Sequence, residues 1–174
     1  MPATLFAPHS CSHSLCLPYP ALVSFLLEHS YDPNEQFSNY STPLTLAISA
    51  GWTAQVRALL SHGASPAISC PLHIAASLHR ADLTTLLLDH GAPIDAVVQE
   101  ELPRGASRRA NPYRRAALHE AAKKGNVECV RVLLERGADP TVRDSNGDVP
   151  WEKVEEREAE CYELLKKAAE EWEG

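Results

Sequence analysis

A fixed interval constrains this chain more than any other property. Pro43, Pro71 and Ala117 each open a short apolar segment, and Gly63, Gly91 and Gly137 each close one, in every case 20 residues later. Two short helical patterns fit inside each interval. In the third copy Leu118, Ala121 and Ala122 form the inward side of the first pattern, and Val127, Val130, Leu133 and Leu134 recur on one face of the second. Gly125 separates the two helices where a tight turn needs positive φ, and Gly137 suits the position just after a helix C-terminus. Val149-Pro150-Trp151-Glu152 opens a last, more degenerate copy. Repetition on this scale points to stacked helical pairs, each too small to bury its own apolar stripe.

The residues at the two ends of each copy carry a family resemblance. Thr42-Pro43-Leu44-Thr45 and Cys70-Pro71-Leu72-His73 open copies, and Leu133-Leu134-Glu135-Arg136-Gly137-Ala138-Asp139 closes one. This resembles the ankyrin repeat over roughly residues 20 to 166. The resemblance implies an all-α, ankyrin-type helical solenoid of about three full repeats with degenerate N- and C-terminal capping repeats. It further implies that His73 and His119 are structural hydrogen-bonders and that the fold carries no chemistry of its own.

The expected organisation is a disordered or irregular tail over 1–17 and a repeat domain over 18–174. Within the domain we expect a half repeat at 18–36, repeats at 37–66 and 67–95, and a long insertion at 96–115. A repeat at 116–143 and a C-terminal cap at 144–174 follow. Residues 20–34 match only the second helix of a repeat, with Val23, Leu26 and Leu27 aligned on Val56, Leu59 and Leu60, and Ser30-Tyr31 in place of Gly-Ala. This is either an N-terminal cap or the remnant of a truncated array. In the first full repeat Thr42 is a good N-cap, Pro43 suits the first helical position, and Leu44, Ala47 and Ile48 face inward. Trp52 is expected to pack at the interhelix turn. The leucine pairs 26/27, 59/60, 87/88 and 133/134 are expected to form the spine. Thr84 replaces the usual valine and needs a backbone acceptor. Ala116-Ala117 deprives the third repeat of a side-chain cap, a deficit of about 1 kcal/mol. In the last copy Val154 stands at an alanine position and Glu155 at the next inward one, and Leu164 and Leu165 would close the stack.

The spacing between copies is uneven. Pro43 to Pro71 is short of the ~33-residue period, so the turn between Pro66 and Ser69 is expected to be clipped. Pro71 to Ala117 is long, and the excess lies in 97–115, with two prolines, a glycine and no period, hence a loop. Arg104, Arg108, Arg109, Arg114 and Arg115 fall there, Lys123 and Lys124 follow, and Glu120 is the one acidic residue between 104 and 124.

The chain's net charge of −7 opposes any general attraction to nucleic acid or anionic membrane. No apolar run approaches the ~18 residues of a membrane span, and a prolyl, non-basic N-terminus does not read as a secretory signal. Five scattered cysteines fit free thiols in a reducing compartment, so a cytoplasmic or nuclear setting is expected. No glycine-rich phosphate loop, Gly-x-Ser-x-Gly elbow or His-Glu-x-x-His motif occurs, so no enzyme activity and no cofactor are expected. His29, His62 and His90, with Arg136, recur before the closing position, where a donor meets free helix carbonyls. His79 stands at a turn glycine.

The function expected is therefore a non-catalytic interaction module, a monomer that binds another protein. By family correspondence its concave face would include Asn39, Ser41, Ser49, Ala50, Ser77, Leu78, Lys123, Lys124 and Asp148. Arg104, Arg108, Arg109, Tyr113, Arg114 and Arg115 would add a basic finger suited to an acidic or phosphorylated partner, since guanidinium forks pair bidentately with carboxylate and phosphate. Two alternatives are weaker: nucleic-acid binding through the basic stretch 104–124, and a zinc site at His9, Cys11, His13 and Cys16, whose spacing matches no common finger.

Overall fold

A computed structural model describes residues 20–36, 41–96, 115–155 and 158–172. The described residues form eight α-helices: α1 (Pro20–Glu28), α2 (Pro43–Ser49), α3 (Thr53–Ser61), α4 (Pro71–Ser77), α5 (Ala81–Asp89), α6 (Ala117–Lys123), α7 (Val127–Glu135) and α8 (Ala159–Trp172). A 3-10 turn at Pro150–Lys153 precedes α8. Seven-residue first helices alternate with nine-residue second helices in the three full copies.

The chain divides into two compact units, Met1–Pro71 and Leu72–Gly174. In the first, α1 and α2 both pack on α3. Thr42 caps α2 as expected, its hydroxyl accepting from the Thr45 amide at 3.3 Å while Thr45 Oγ1 accepts from the Thr42 amide at 2.9 Å. Val23, Leu44, Ala47, Ile48, Val56 and Leu59 are fully buried. Trp52 is half-buried, and its amide donates to Ala47 O at 2.9 Å to close the interhelix turn.

In the second unit α7 packs against α5, α6 and α8. Leu72, Leu83, Leu87, Leu118, Leu133 and Leu165 fill the core. Cys129 is fully buried, as is Val130. Thr84 finds its acceptor, donating to Arg80 O at 3.0 Å. The spine is uneven. Leu59 and Leu60 are both buried, whereas in the other pairs Leu27, Leu87 and Leu133 are buried and Leu26, Leu88 and Leu134 half-buried. Leu164 is half-buried beside the buried Leu165.

The repeat is visible in its backbone bonds. The amides of Trp52, Arg80 and Asn126 donate to Ala47, Ala75 and Ala121 across the interhelix turn, at 2.9, 3.1 and 2.9 Å. The amides of Ala64, Ala92 and Ala138 donate to Leu59, Leu87 and Leu133 at 2.9, 3.0 and 3.0 Å, the six-to-one bond that closes a helix with a left-handed residue. That residue is Gly63, Gly91 and Gly137 in three copies and Ser30 in α1.

Two departures from the sequence reading stand out. The shortened junction is a turn over 66–69 followed by two consecutive left-handed residues, Ser69 (φ 60°) and Cys70 (φ 50°). The equivalent residues Thr42 and Ala116 are extended, so the missing length is absorbed in backbone strain at the helix entry. In the last copy Val154 and Glu155 do not continue a first helix. The 3-10 turn ends at Lys153 and Val154 is extended. A glutamate at the next inward position would be buried without a partner, which disfavours continuing the helix.

Candidate functional site

Ser49 and Ala50 end α2, Ser77 and Leu78 end α4, and Lys123 and Lys124 end α6, so these pairs occupy one repeat-equivalent position. The helix ends there because Gly51, His79 and Gly125 take positive φ at the following turn. In the first unit Ser49 and Ala50 are exposed and Ser41 half-buried. In the second, Leu78, Lys123 and Lys124 are exposed and Ser77 is half-buried. Leu78 keeps 45% of its surface open to solvent, unlike the buried leucines of the same unit. Ser49 and Ser77 spend their hydroxyls locally, on Thr45 O at 2.8 Å and Ile74 O at 2.9 Å.

Arg115 and Asp148 have a different setting. The Arg115 guanidinium lies 3.3 Å from Glu120 Oε1 and 3.6 Å from Asp144 Oδ2, and only 15% of its side chain is exposed. Lys153 Nζ approaches the same Asp144 oxygen at 2.8 Å and also pairs with Asp148. Burial pushes the Asp144 carboxyl up, but the Lys153 ammonium and the amides of Asn146 and Asp148 outweigh it and hold the group below its ordinary range. The Arg115 carbonyl is held as well, accepting from His73 Nε2 at 2.6 Å. Arg115 thus fastens the C-terminal end of the long insertion to the second unit. Its neighbours in sequence, Arg104, Arg108, Arg109, Tyr113 and Arg114, lie outside the described residues, as do Asn39 and the set His9, Cys11, His13 and Cys16.

The histidines divide as their positions imply. His29 and His62 bond through Nδ1 to the carbonyls four residues back, Phe25 O at 2.7 Å and Ala58 O at 2.8 Å, and His90 and Arg136 occupy the corresponding C-caps. His73 and His119 are buried and reach forward to the next copy, His119 Nε2 donating to Asp148 O at 3.1 Å. His119 Nδ1 also accepts from the Ala116 amide at 3.3 Å, supplying part of the cap that Ala116 lacks. Burial lowers the pKa of both rings. Among the described residues no group of three His, Cys, Asp or Glu side chains is placed to hold a metal ion. None of the described helices is long and apolar enough to cross a membrane.

Sequence reasoning missed a set of polar links between copies. Asn126 caps α7 through Cys129 N and also donates to Ala76 O at 3.1 Å. Asn34 Oδ1 accepts from Ser65 N at 2.7 Å, and Asp95 Oδ1 accepts from Asp139 N at 3.1 Å. Asn34 and Asp95 both stand four residues after the left-handed closing residue, a register that could have flagged them.

The comparisons agree with this architecture. A family model described as ankyrin repeats, in three copies, matches residues 15–98 and 71–144. The ankyrin repeat protein nuc-2 of Neurospora crassa is 32% identical over 166 residues, covering 91% of this chain and 14% of that protein. The ankyrin repeat and SOCS box protein 11 of Danio rerio is 32% identical over 114 residues, covering 63% of this chain and 34% of its own length. The palmitoyltransferase Hip14 of Drosophila melanogaster is 37% identical over 76 residues, which is 44% of this chain and 10% of that enzyme. The chain therefore spans between about a tenth and about a third of these relatives' own length. With its fixed interval, its repeated turn bonds and a family match across most of its length, the chain belongs to the ankyrin repeat family.

Proposed function

We propose that this chain is a non-catalytic interaction module that binds another protein through the exposed ends of its first helices and the arginines of its long insertion. The observation that carries this reading is the exposure of Leu78, Lys123 and Lys124 at a position where the fold itself makes no use of them. Serine, alanine, leucine and lysine alternate at that position from copy to copy, as expected of residues chosen by a partner and not by the core. The partner class is an acidic or phosphorylated protein segment. Lys123 and Lys124 continue the charge of Arg104, Arg108, Arg109 and Arg114, and no internal partner is needed to hold them. Arg115 is left out of the gripping set because Glu120 and Asp144 already hold it. An intracellular setting fits the scattered thiols. Pull-down from a cell lysate tests the reading, with wild type beside a variant in which Arg104, Arg108, Arg109 and Arg114 become Glu. Loss of the captured acidic or phosphorylated protein from the variant is expected, and equal capture rejects the gripping role.

A further inference from the structure

A groove of about 1130 Å³ runs along α7 and α8 in the second unit. Its origin lies in the lengths of the two helices. Arg131 on α7 pairs with Glu160 in the first turn of α8 at 3.7 Å. α7 stops at Glu135, whereas α8 continues to Trp172. The buried stripe of α8, Cys161, Leu165 and Ala169, returns at Trp172, since 11 residues make three turns with about 20° left over. At that level α7 has ended and only the Ala138–Pro140 turn remains beside the groove. Trp172 consequently keeps 54% of its surface exposed. Leu134 and Leu164 are half-buried on the same floor.

The rim is mixed in sign but acidic in balance, with five glutamates against three basic residues. Of the basic residues that line the groove, Arg131 is paired with Glu160, Lys167 with Glu171 at 3.7 Å, and Lys166 sits 5.7 Å from the Tyr162 ring centroid. Glu135, Glu163 and Glu170 line the groove with no ion pair among the described residues. An apolar floor with a large aromatic at its open end is the anchor half of an interface. Uncompensated carboxylates around it select a cationic partner and penalise an acidic one.

We propose that this groove docks a short basic amphipathic helix of another protein, an aliphatic anchor lying against Trp172, Leu134 and Leu164 and its lysines or arginines facing Glu135, Glu163 and Glu170. A trough alongside two packed helices accommodates a third with anchors at i, i+3 and i+4 spacing. The occupant is opposite in charge to the partner of the arginine-rich insertion, so the two interactions are separable.

The test uses the full chain and a fluorescein-labelled synthetic 16-residue helix of leucine, alanine and lysine, titrated by anisotropy beside the same peptide with glutamate for every lysine. Because the whole chain is acidic, variants decide the matter. Wild type is expected to bind the basic peptide and not the acidic one. Trp172→Ala should weaken binding at least tenfold, and Glu163→Lys with Glu170→Lys should reverse the preference. Glu35→Lys, an exposed acid in the first unit, should change it less than twofold. Thermal melts of each variant confirm folding, and Trp172→Phe, which keeps an aromatic anchor, should retain most of the affinity. Equal binding by wild type, Trp172→Ala and the double reversal overturns the proposal. So does a concentration-dependent dimer in sedimentation that Trp172→Ala abolishes, which would make a second copy the occupant.

Discussion

Ser30 and His79 stand where other copies have glycine, and each takes the left-handed backbone that glycine takes there, at φ 68° and 58°. A side chain in that region costs roughly 1–2 kcal/mol, offset in part by the lower chain entropy that a non-glycine residue has to lose. Both side chains are exposed, so little packing is lost by removing them. Ser30→Gly and His79→Gly are each expected to stabilise the chain by about 0.5–1 kcal/mol in urea denaturation. Gly125 occupies the His79-equivalent turn, but there the Glu158 side chain lies over the position of a Cβ. A residue at position 125 therefore meets both strain and crowding, whereas His79 bears only the strain. The sequence marked His79 as an unexplained replacement of glycine, and its backbone angle supplies the reason it is noticeable.

Between elements, buried polar side chains do what apolar periodicity does not reveal. His73 and His119 each join a first helix to the loop entering the next copy, through Arg115 O and Asp148 O. Burial lowers the pKa of both rings, so the folded state holds them neutral. The unfolded imidazoles titrate near ~6.5. Above that pH neither state binds the protons and the stability is fully present. As the pH falls through about 6.5 towards the depressed folded values, the unfolded chain takes up protons that the folded chain refuses, and stability is lost. Urea midpoints are expected to drop between pH 8 and pH 5.5, and a His73→Gln, His119→Gln variant should show a flatter profile over that window. A wild-type profile as flat as the variant's would remove these rings from the linkage. The family resemblance marked both histidines as hydrogen-bonders, but their acceptors, 42 and 29 residues away, belong to loops whose lengths differ between copies.

At the scale of the molecule, stability in a repeat array comes from nearest-neighbour burial, because each helical pair is too short to stand alone. Leu87 is wholly buried in the second unit, and a carboxylate placed there has no partner. Leu87→Asp is expected to cost about 4 kcal/mol or more, a large share of a typical 5–15 kcal/mol. Far-UV circular dichroism should then show loss of helix and a collapsed urea midpoint, and an unchanged melt would remove Leu87 from the core. The paired short helices of each full copy were legible in the chain itself, since apolar spacing, glycine placement and the 20-residue interval are local or periodic signals. The inward set Leu44, Ala47, Ile48, Leu118, Ala121 and Ala122 followed from the same spacing. Tertiary structure alone decided that both leucines of the 59/60 pair are covered but only one of 87/88 and of 133/134, and that Arg115 holds Glu120 and Asp144. It also decided how far α8 outruns α7 and leaves Trp172 uncovered. Those outcomes depend on where non-neighbouring segments end relative to one another, a relation that no periodicity within either segment encodes.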